Sequence, residues 1–300
     1  MNLAAEERRS MRPIPDFLVI GGPKCGSTSL WQLLRRHPRV FMPDTKEPAF
    51  FSNPDVFSLG EAWYRELFEG AEHSAKVGEA STTYSRWPYA EAPQTLDPRA
   101  QIVSWNPQVR LVYVVRHPVD RAFSHYGHHM RLGVTRSFEQ ALKENPIYVA
   151  CSRYDLQIER WREVLPSPEQ LLVVPTDALR SMNRQVLIDI QRHIGVEPID
   201  IWSGGVVEAN QSGARYLASH KLAPIRQHAL VKPLVTLIPP AARDWMRELV
   251  IHSPLGSKWR RATRLTPMLA ETRARLLAEL EPATRAVESE LGVRLESWRR

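Results

Sequence analysis

Hydrophobic positions recur along this chain in two rhythms. Phe17 to Ile20, Leu111 to Val115 and Leu171 to Val174 are short, unbroken apolar runs, the second of them mostly β-branched. Runs of that length without alternation read as strands covered on both faces, as in a parallel sheet. Val40-Phe41-Met42-Pro43 and Lys76-Val77-Gly78-Glu79 read as shorter strands. Between them the apolar spacing becomes helical. It predicts a helix from Ser27 to about Arg36 and one helix within Pro54 to Gly70, with Trp63, Tyr64, Leu67 and Phe68 on one face. Further helices are predicted from Pro118, over Ser137 to Lys143, and from Tyr154, where Leu156, Ile158 and Trp161 are spaced for burial. Gln185 to Ile194 fits a helix stopped by Gly195. A single final helix is expected from Thr266-Pro267, with Pro at its first position, to Leu291-Gly292. Strands alternating with helices predict an α/β fold: a P-loop-like open parallel sheet with helices on both faces.

Residues 1–15 are polar and read as a flexible arm. No linker, repeat or low-complexity tract divides 16–300, which reads as one domain. Within it, 201–265 follow neither rhythm. The stretch Pro233 to Ser253, broken at Pro239-Pro240 and holding Trp245, fits both a core-packing helix pair and a lid over an acceptor site.

Charge narrows the partners. The chain of 300 residues carries a net charge of +7, and 33 of its 40 basic residues are Arg. Such a field attracts anionic ligands. The basic residues are scattered and not interleaved with aromatics, which argues against nucleic acid. Arg8-Arg9 and Arg299-Arg300 fall at ends expected to fray. Two cysteines, Cys25 and Cys151, exclude a disulfide scaffold and a Cys-based zinc site. No apolar run approaches membrane-spanning length, so no membrane span and a cytoplasmic location are expected.

The first predicted strand breaks at Gly21-Gly22-Pro23 and restarts as a helix at Ser27. A strand, a Gly-rich turn and a helix start build an anion cradle, because the first amides of a helix lack intrahelical partners. Gly21-x4-Gly26-Ser27-Thr28 has the spacing of a phosphate-binding loop, but Ser27 stands where a nucleoside-triphosphate kinase carries Lys. The nearby Lys is Lys24, inside the loop. Arg116 ends the strand Leu111 to Val115, at the sheet edge where open α/β folds bind ligands. Its rigid fork suits a second phosphate, and Ser124, two turns into the following helix, adds a hydroxyl.

Pro23-Lys24-Cys25-Gly26-Ser27-Thr28-Ser29-Leu30 and Val115-Arg116-His117-Pro118 through Ser124-His125-Tyr126 resemble the two nucleotide motifs of the sulfotransferases that use 3′-phosphoadenosine 5′-phosphosulfate (PAPS). Lys46-Glu47-Pro48-Ala49-Phe50-Phe51 is similar to a segment of that family's carbohydrate and heparan-type branch. The resemblance implies that Lys24, the Cys25 amide, Gly26, Ser27, Thr28 and Ser29 hold the 5′-phosphosulfate. It implies that Arg116 and Ser124 hold the 3′-phosphate, with Arg215 of Asn210 to Tyr216 closing over it. Lys24 would also serve the leaving oxygen and Glu47 would be the general base. Gly78-Glu79 with Ser81 and Tyr84 resembles a cleft-lining segment in which some relatives place Lys where this chain has Ala80. The implied reaction moves a sulfuryl group to a hydroxyl, less readily an amine, of a carbohydrate or secondary metabolite. It leaves 3′-phosphoadenosine 5′-phosphate, and no metal is expected.

The residues leave rivals standing. His125, His128 and His129 cluster on one predicted helix, as helix surface, as a metal-binding pair at i, i+4, or as a base in place of Glu47. A P-loop small-molecule kinase using ATP and Mg²⁺, and a non-catalytic nucleotide-binding protein, are the alternatives to sulfuryl transfer.

Overall fold

A computed structural model describes residues 14–71, 74, 76–85, 96–131, 136–203 and 265–300. Five parallel strands are β1 (Phe17–Val19), β2 (Val40–Phe41), β3 (Lys76–Ala80), β4 (Arg110–Val115) and β5 (Leu171–Pro175), in the order β2-β3-β1-β4-β5. Register puts Val19 beside both Ala80 and Val112, and Val115 beside Pro175. The carboxyl ends of these strands therefore share one edge. The helices in chain order are α1 (Ser27–Leu34), α2 (Pro54–Phe57), α3 (Gly60–Glu66), α4 (Pro98–Trp105), α5 (Pro118–Arg131) and α6 (Phe138–Glu144). They continue as α7 (Ile147–Ala150), α8 (Tyr154–Val164), α9 (Thr176–Arg180), α10 (Arg184–His193), α11 (Ala270–Glu279) and α12 (Glu281–Leu291).

The chain divides into two compact units. The first takes Met1–Ala122, Asn145–Ala209 and Ala270–Arg300, and it holds the whole sheet. Alternate residues of its strands enter two cores. Leu18, Val77, Leu111, Tyr113 and Val173 pack with Tyr64 of α3, Ile102 of α4, Ile158 and Trp161 of α8 and Val287 of α12. Phe17, Val19, Val112, Val114 and Val174 pack with Leu30 and Leu33 of α1 and Leu187 and Ile190 of α10. Helices thus cover both faces, as the apolar runs require. The second unit takes Phe123–Glu144 and Asn210–Leu269. Its described part packs Phe138 of α6 against Phe123 and Tyr126 of α5, with ring centroids 5.1 and 5.2 Å apart, and the Tyr126 hydroxyl donates to the Arg136 carbonyl at 2.6 Å.

Several expectations need correction. The single helix within 54–70 is two, because the chain breaks after Phe57 and Gly60 adopts φ 83°. The single final helix is also two: Pro267 precedes it, the chain turns at Leu280, and Pro282 opens α12. Leu156 is half-buried, and Gln157 takes the buried place on α8. Arg299 is not frayed; it pairs with Glu288 at 2.6 Å. The flexible-arm reading of 1–15 falls almost wholly outside the described residues, as do Arg215 and nearly all of 201–265.

Candidate active site

The turn between β1 and α1 is built against its neighbours. The Gly22 amide continues the sheet by donating to the Val114 carbonyl at 3.1 Å. A Cβ on Gly21 would lie 2.8 Å from Val114 Cβ and 2.9 Å from its carbonyl oxygen, so only glycine fits. Three successive loop carbonyls are gripped from three elements. Pro23 O accepts from the Arg121 guanidinium at 3.5 Å and Lys24 O from the Arg116 guanidinium at 3.5 Å. Cys25 O accepts from the Thr176 hydroxyl at the start of α9, which also reaches Val115 O at 2.8 Å. In a trans peptide the N–H points opposite to the C=O. With the Pro23 and Cys25 carbonyls turned onto these donors, the amides of Lys24 and Gly26 face the other way. The Cys25 amide is used within the loop, donating to Gly22 O at 3.1 Å. Gly26 caps α1 at φ 95°, and among the described residues the Ser27 and Thr28 amides find no carbonyl acceptor, leaving the positive end of an eight-residue helix facing outward.

Arg116 therefore stands beside the loop, as the sequence predicted. It is half-buried, and no carboxylate among the described residues lies within ion-pair distance of it. Burial first, and the nearby Arg180 cation next, lower its pKa, so it is a cation in want of an anion. Tyr154 joins the two motifs. Its hydroxyl donates to Arg116 O at 2.7 Å, accepts from Arg116 N–H at 3.2 Å and lies 3.8 Å from Cys25 Sγ. Burial pushes the Cys25 thiol up to about 11, which removes it as a nucleophile near neutral pH.

Glu47 hangs on the next strand. Its amide donates to Ala80 O at 3.0 Å, at the end of β3, while Ser81 N–H donates to Val19 O at 3.2 Å beside the loop. The exposed Glu47 carboxylate accepts from Thr82 Oγ1 at 2.8 Å and from Lys46 Nζ at 2.5 Å. Glu47 and Ala49 adopt φ 61° and 55°, and Lys24 adopts 73°. Each such non-glycine residue costs on the order of 1–3 kcal/mol and tends to mark a functional site. Lys24 and Glu47, which the family resemblance implies for the chemistry, are both among these residues.

The sequence profile of the sulfotransferase domain family matches residues 14–212, about two thirds of the chain. The chain belongs to that family. The sulfotransferase segment is 28% identical over 206 residues to human bifunctional heparan sulfate N-deacetylase/N-sulfotransferase 3. It is 30% identical over 212 residues to the mouse form 4, and each alignment covers 62% of this chain and 23% of the relative. The sulfotransferase chain thus spans about a quarter of the length of these curated relatives. A solved sulfotransferase from Alicyclobacillus acidocaldarius shares its fold, with TM-score 0.64 and 23% identity over 96% of this chain and 100% of that one.

Other residues of the sequence reading belong to the second unit. Ser124 is half-buried on α5, within the second unit. His125 is buried there, its ring 4.5 Å from that of His129. Among the described residues no group of three or more His, Cys, Asp or Glu side chains is placed to hold a metal ion, and no helix is long and apolar enough to cross a membrane. Sequence reasoning missed four residues that shape the site: Arg121, Tyr154, Thr176 and, as a buried acid, Glu79. Arg121 is fully buried, donating to Ser152 Oγ at 2.6 Å and to Tyr148 O. Its one visible signal was its place in the first turn after Pro118.

Proposed function

We propose that the first unit binds PAPS and moves its sulfuryl group to a hydroxyl or amine of a carbohydrate or small-molecule acceptor. The observation that carries this reading is the Arg116 guanidinium on the carbonyl of Lys24. It sets a cation without a carboxylate partner next to an amide-rich helix start. A nucleotide phosphorylated at both 3′ and 5′ positions offers an anion to each. The loop amides of Lys24 and Gly26, with Ser27, Thr28 and Ser29, take the 5′-phosphosulfate, and Arg116 takes the 3′-phosphate. Cys25 contributes the gripped carbonyl that shapes the loop, in place of its amide. Ser124 and Arg215 belong to the second unit, and this reading of the first unit does not draw on them.

The S–O bond to the 5′-phosphate breaks and a bond from sulfur to the acceptor oxygen or nitrogen forms. Lys24 steadies the charge that grows on the leaving oxygen, a kind of contact worth about 10²–10³-fold in rate. Glu47 takes the acceptor's proton, a role worth about 10²–10⁴-fold. Its two held contacts, Thr82 and Lys46, fix the carboxylate in place. The two relatives are named for N-sulfation of heparan sulfate, which favours an amino sugar chain as a second acceptor class beside hydroxyls.

Calorimetry with 3′-phosphoadenosine 5′-phosphate, adenosine 5′-phosphate and ATP tests the donor site. The bisphosphate is expected to bind tightest, and Arg116→Ala to weaken it far more than the monophosphate. Equal losses for both, or tighter binding of ATP with Mg²⁺, would overturn the reading. Transfer of labelled sulfate to a panel of N-desulfated heparan, neutral polysaccharide and small alcohols then identifies the acceptor class.

A further inference from the structure

Glu79 is a carboxyl that the proposed chemistry does not use. It lies in β3 with no solvent exposure, and three hydroxyls converge on it. Tyr84 donates to Oε1 at 2.7 Å and Tyr64 at 3.2 Å, and Ser81 donates to Oε2 at 2.9 Å. Two of these hydroxyls also meet the loop that carries Glu47. Ser81 Oγ accepts from Ala49 N–H at 3.0 Å, and the Tyr84 oxygen from Phe51 N–H at 3.5 Å. A hydroxyl has one proton and two lone pairs. By taking the protons, the Glu79 carboxylate leaves the lone pairs of Ser81 and Tyr84 for the loop amides. Thr82, between them in sequence, donates to Glu47 itself.

The loop needs such support. Glu47 and Ala49 both sit at positive φ, a conformation they hold only when the surroundings over-determine it. Bonds to Ala80 O, Ser81 Oγ and the Tyr84 hydroxyl supply that constraint, and two of the three run through Glu79. A glutamine there would turn an N–H₂ toward one of the hydroxyl oxygens and compete with the amides for their lone pairs.

We propose that Glu79 is a positioning residue that holds the Glu47 carboxylate in place by orienting the Ser81 and Tyr84 hydroxyls toward the loop 47–51. Its consequence for turnover rests on Glu47 being the general base. The first measurement is amide hydrogen exchange on the full chain at about pH 8, where Glu79 is ionised. In Glu79→Gln the Ala49 and Phe51 amides are expected to exchange about ten-fold faster or more, while those of Val112 and Val114 in β4 keep their protection. Unchanged protection at Ala49 and Phe51 would overturn the proposal. Should Glu79→Gln not fold, Glu79→Asp draws the carboxylate back from the Ser81 and Tyr84 hydroxyls and is read the same way.

The second measurement is turnover with the best acceptor of the panel. Glu79→Gln is expected to lower kcat about ten-fold or more, within the range of general-base effects, and to leave the donor KM within about two-fold. In a Glu47→Gln background the same change is expected to cost nothing further. An equal loss in both backgrounds overturns a role through Glu47. Full turnover by Glu47→Gln alone would remove the base reading and the catalytic consequence of Glu79, while the exchange of Ala49 and Phe51 still decides whether Glu79 holds the loop.

Discussion

A single hydroxyl, that of Tyr154, binds both backbone groups of Arg116 and touches the thiol of Cys25, so one side chain sets the spacing of the two motifs proposed to hold the anions. Glu79 plays a comparable part for the loop of Glu47, with a cost that can be measured. Burial, which outweighs three donated hydrogen bonds, pushes its pKa up to about 7 from 4.5. The folded state then binds more protons than the unfolded chain between about pH 4.5 and about pH 7. Stability contributed by this group is therefore complete below that window and falls as pH rises through it. A shift of that size corresponds to roughly 3 kcal/mol. Denaturant unfolding at about pH 5 and about pH 8 checks this. The wild type is expected to lose stability relative to Glu79→Gln as pH rises, by roughly 3 kcal/mol. Parallel pH profiles would mean that Glu79 titrates normally.

Among the elements, the β1–α1 turn tolerates least. Gly21→Ala sets a Cβ against the backbone and side chain of Val114, in a strand hydrogen-bonded on both sides, so neither neighbour can give way. Overpacking of this kind costs about 1–3 kcal/mol. A lowered denaturation midpoint with the m-value unchanged is the expected outcome; an unchanged midpoint would mean that the turn opens at no cost. This turn was legible in the sequence because its glycines, its flanking strand and its helix start are contiguous. Strands β1, β4 and β5 were legible for the same reason: burial on both faces writes itself as an unbroken apolar run. The breaks at Ser58 and Leu280 are masked by apolar spacing that continues across them, although Gly60 and Pro282 are the local residues that mark the turns. The burial of Glu79 and the reach of Tyr154 were not legible. Those contacts join residues up to 129 positions apart, and a local pattern carries no trace of them.

At the scale of the molecule, the first unit is assembled from three separated stretches of chain, the last of which returns the C-terminal residues to the core. Trp298 shows what that return does. It is buried in the same cluster as Tyr113 and Tyr154, its ring centroid is 6.1 Å from that of His117, and its indole N–H donates to Asp177 of α9 at 3.3 Å. His117 follows Arg116, and α9 begins with the Thr176 that grips the Cys25 carbonyl. Residues near the end of the chain thus brace the two neighbours of the anion cradle from within one unit. Trp298→Ala is expected to cost about 3–5 kcal/mol, the usual range for an emptied aromatic core position. Trp298→Phe keeps most of the packing and loses the bond to Asp177, for about 1 kcal/mol. Against a typical total of about 5–15 kcal/mol, the first change removes a large part of the stability and the second little. Bisphosphate nucleotide at one hundred times its Kd adds about 2.7 kcal/mol to any protein that binds it only when folded. Thermal unfolding followed by circular dichroism, with and without that nucleotide, should therefore show a deep drop for Trp298→Ala, a shallow one for Trp298→Phe, and a similar ligand-induced rise in both. A ligand-induced rise that vanished in Trp298→Ala would instead place this tryptophan in the binding site itself, and an unchanged midpoint would mean that the C-terminal segment carries no load in the first unit.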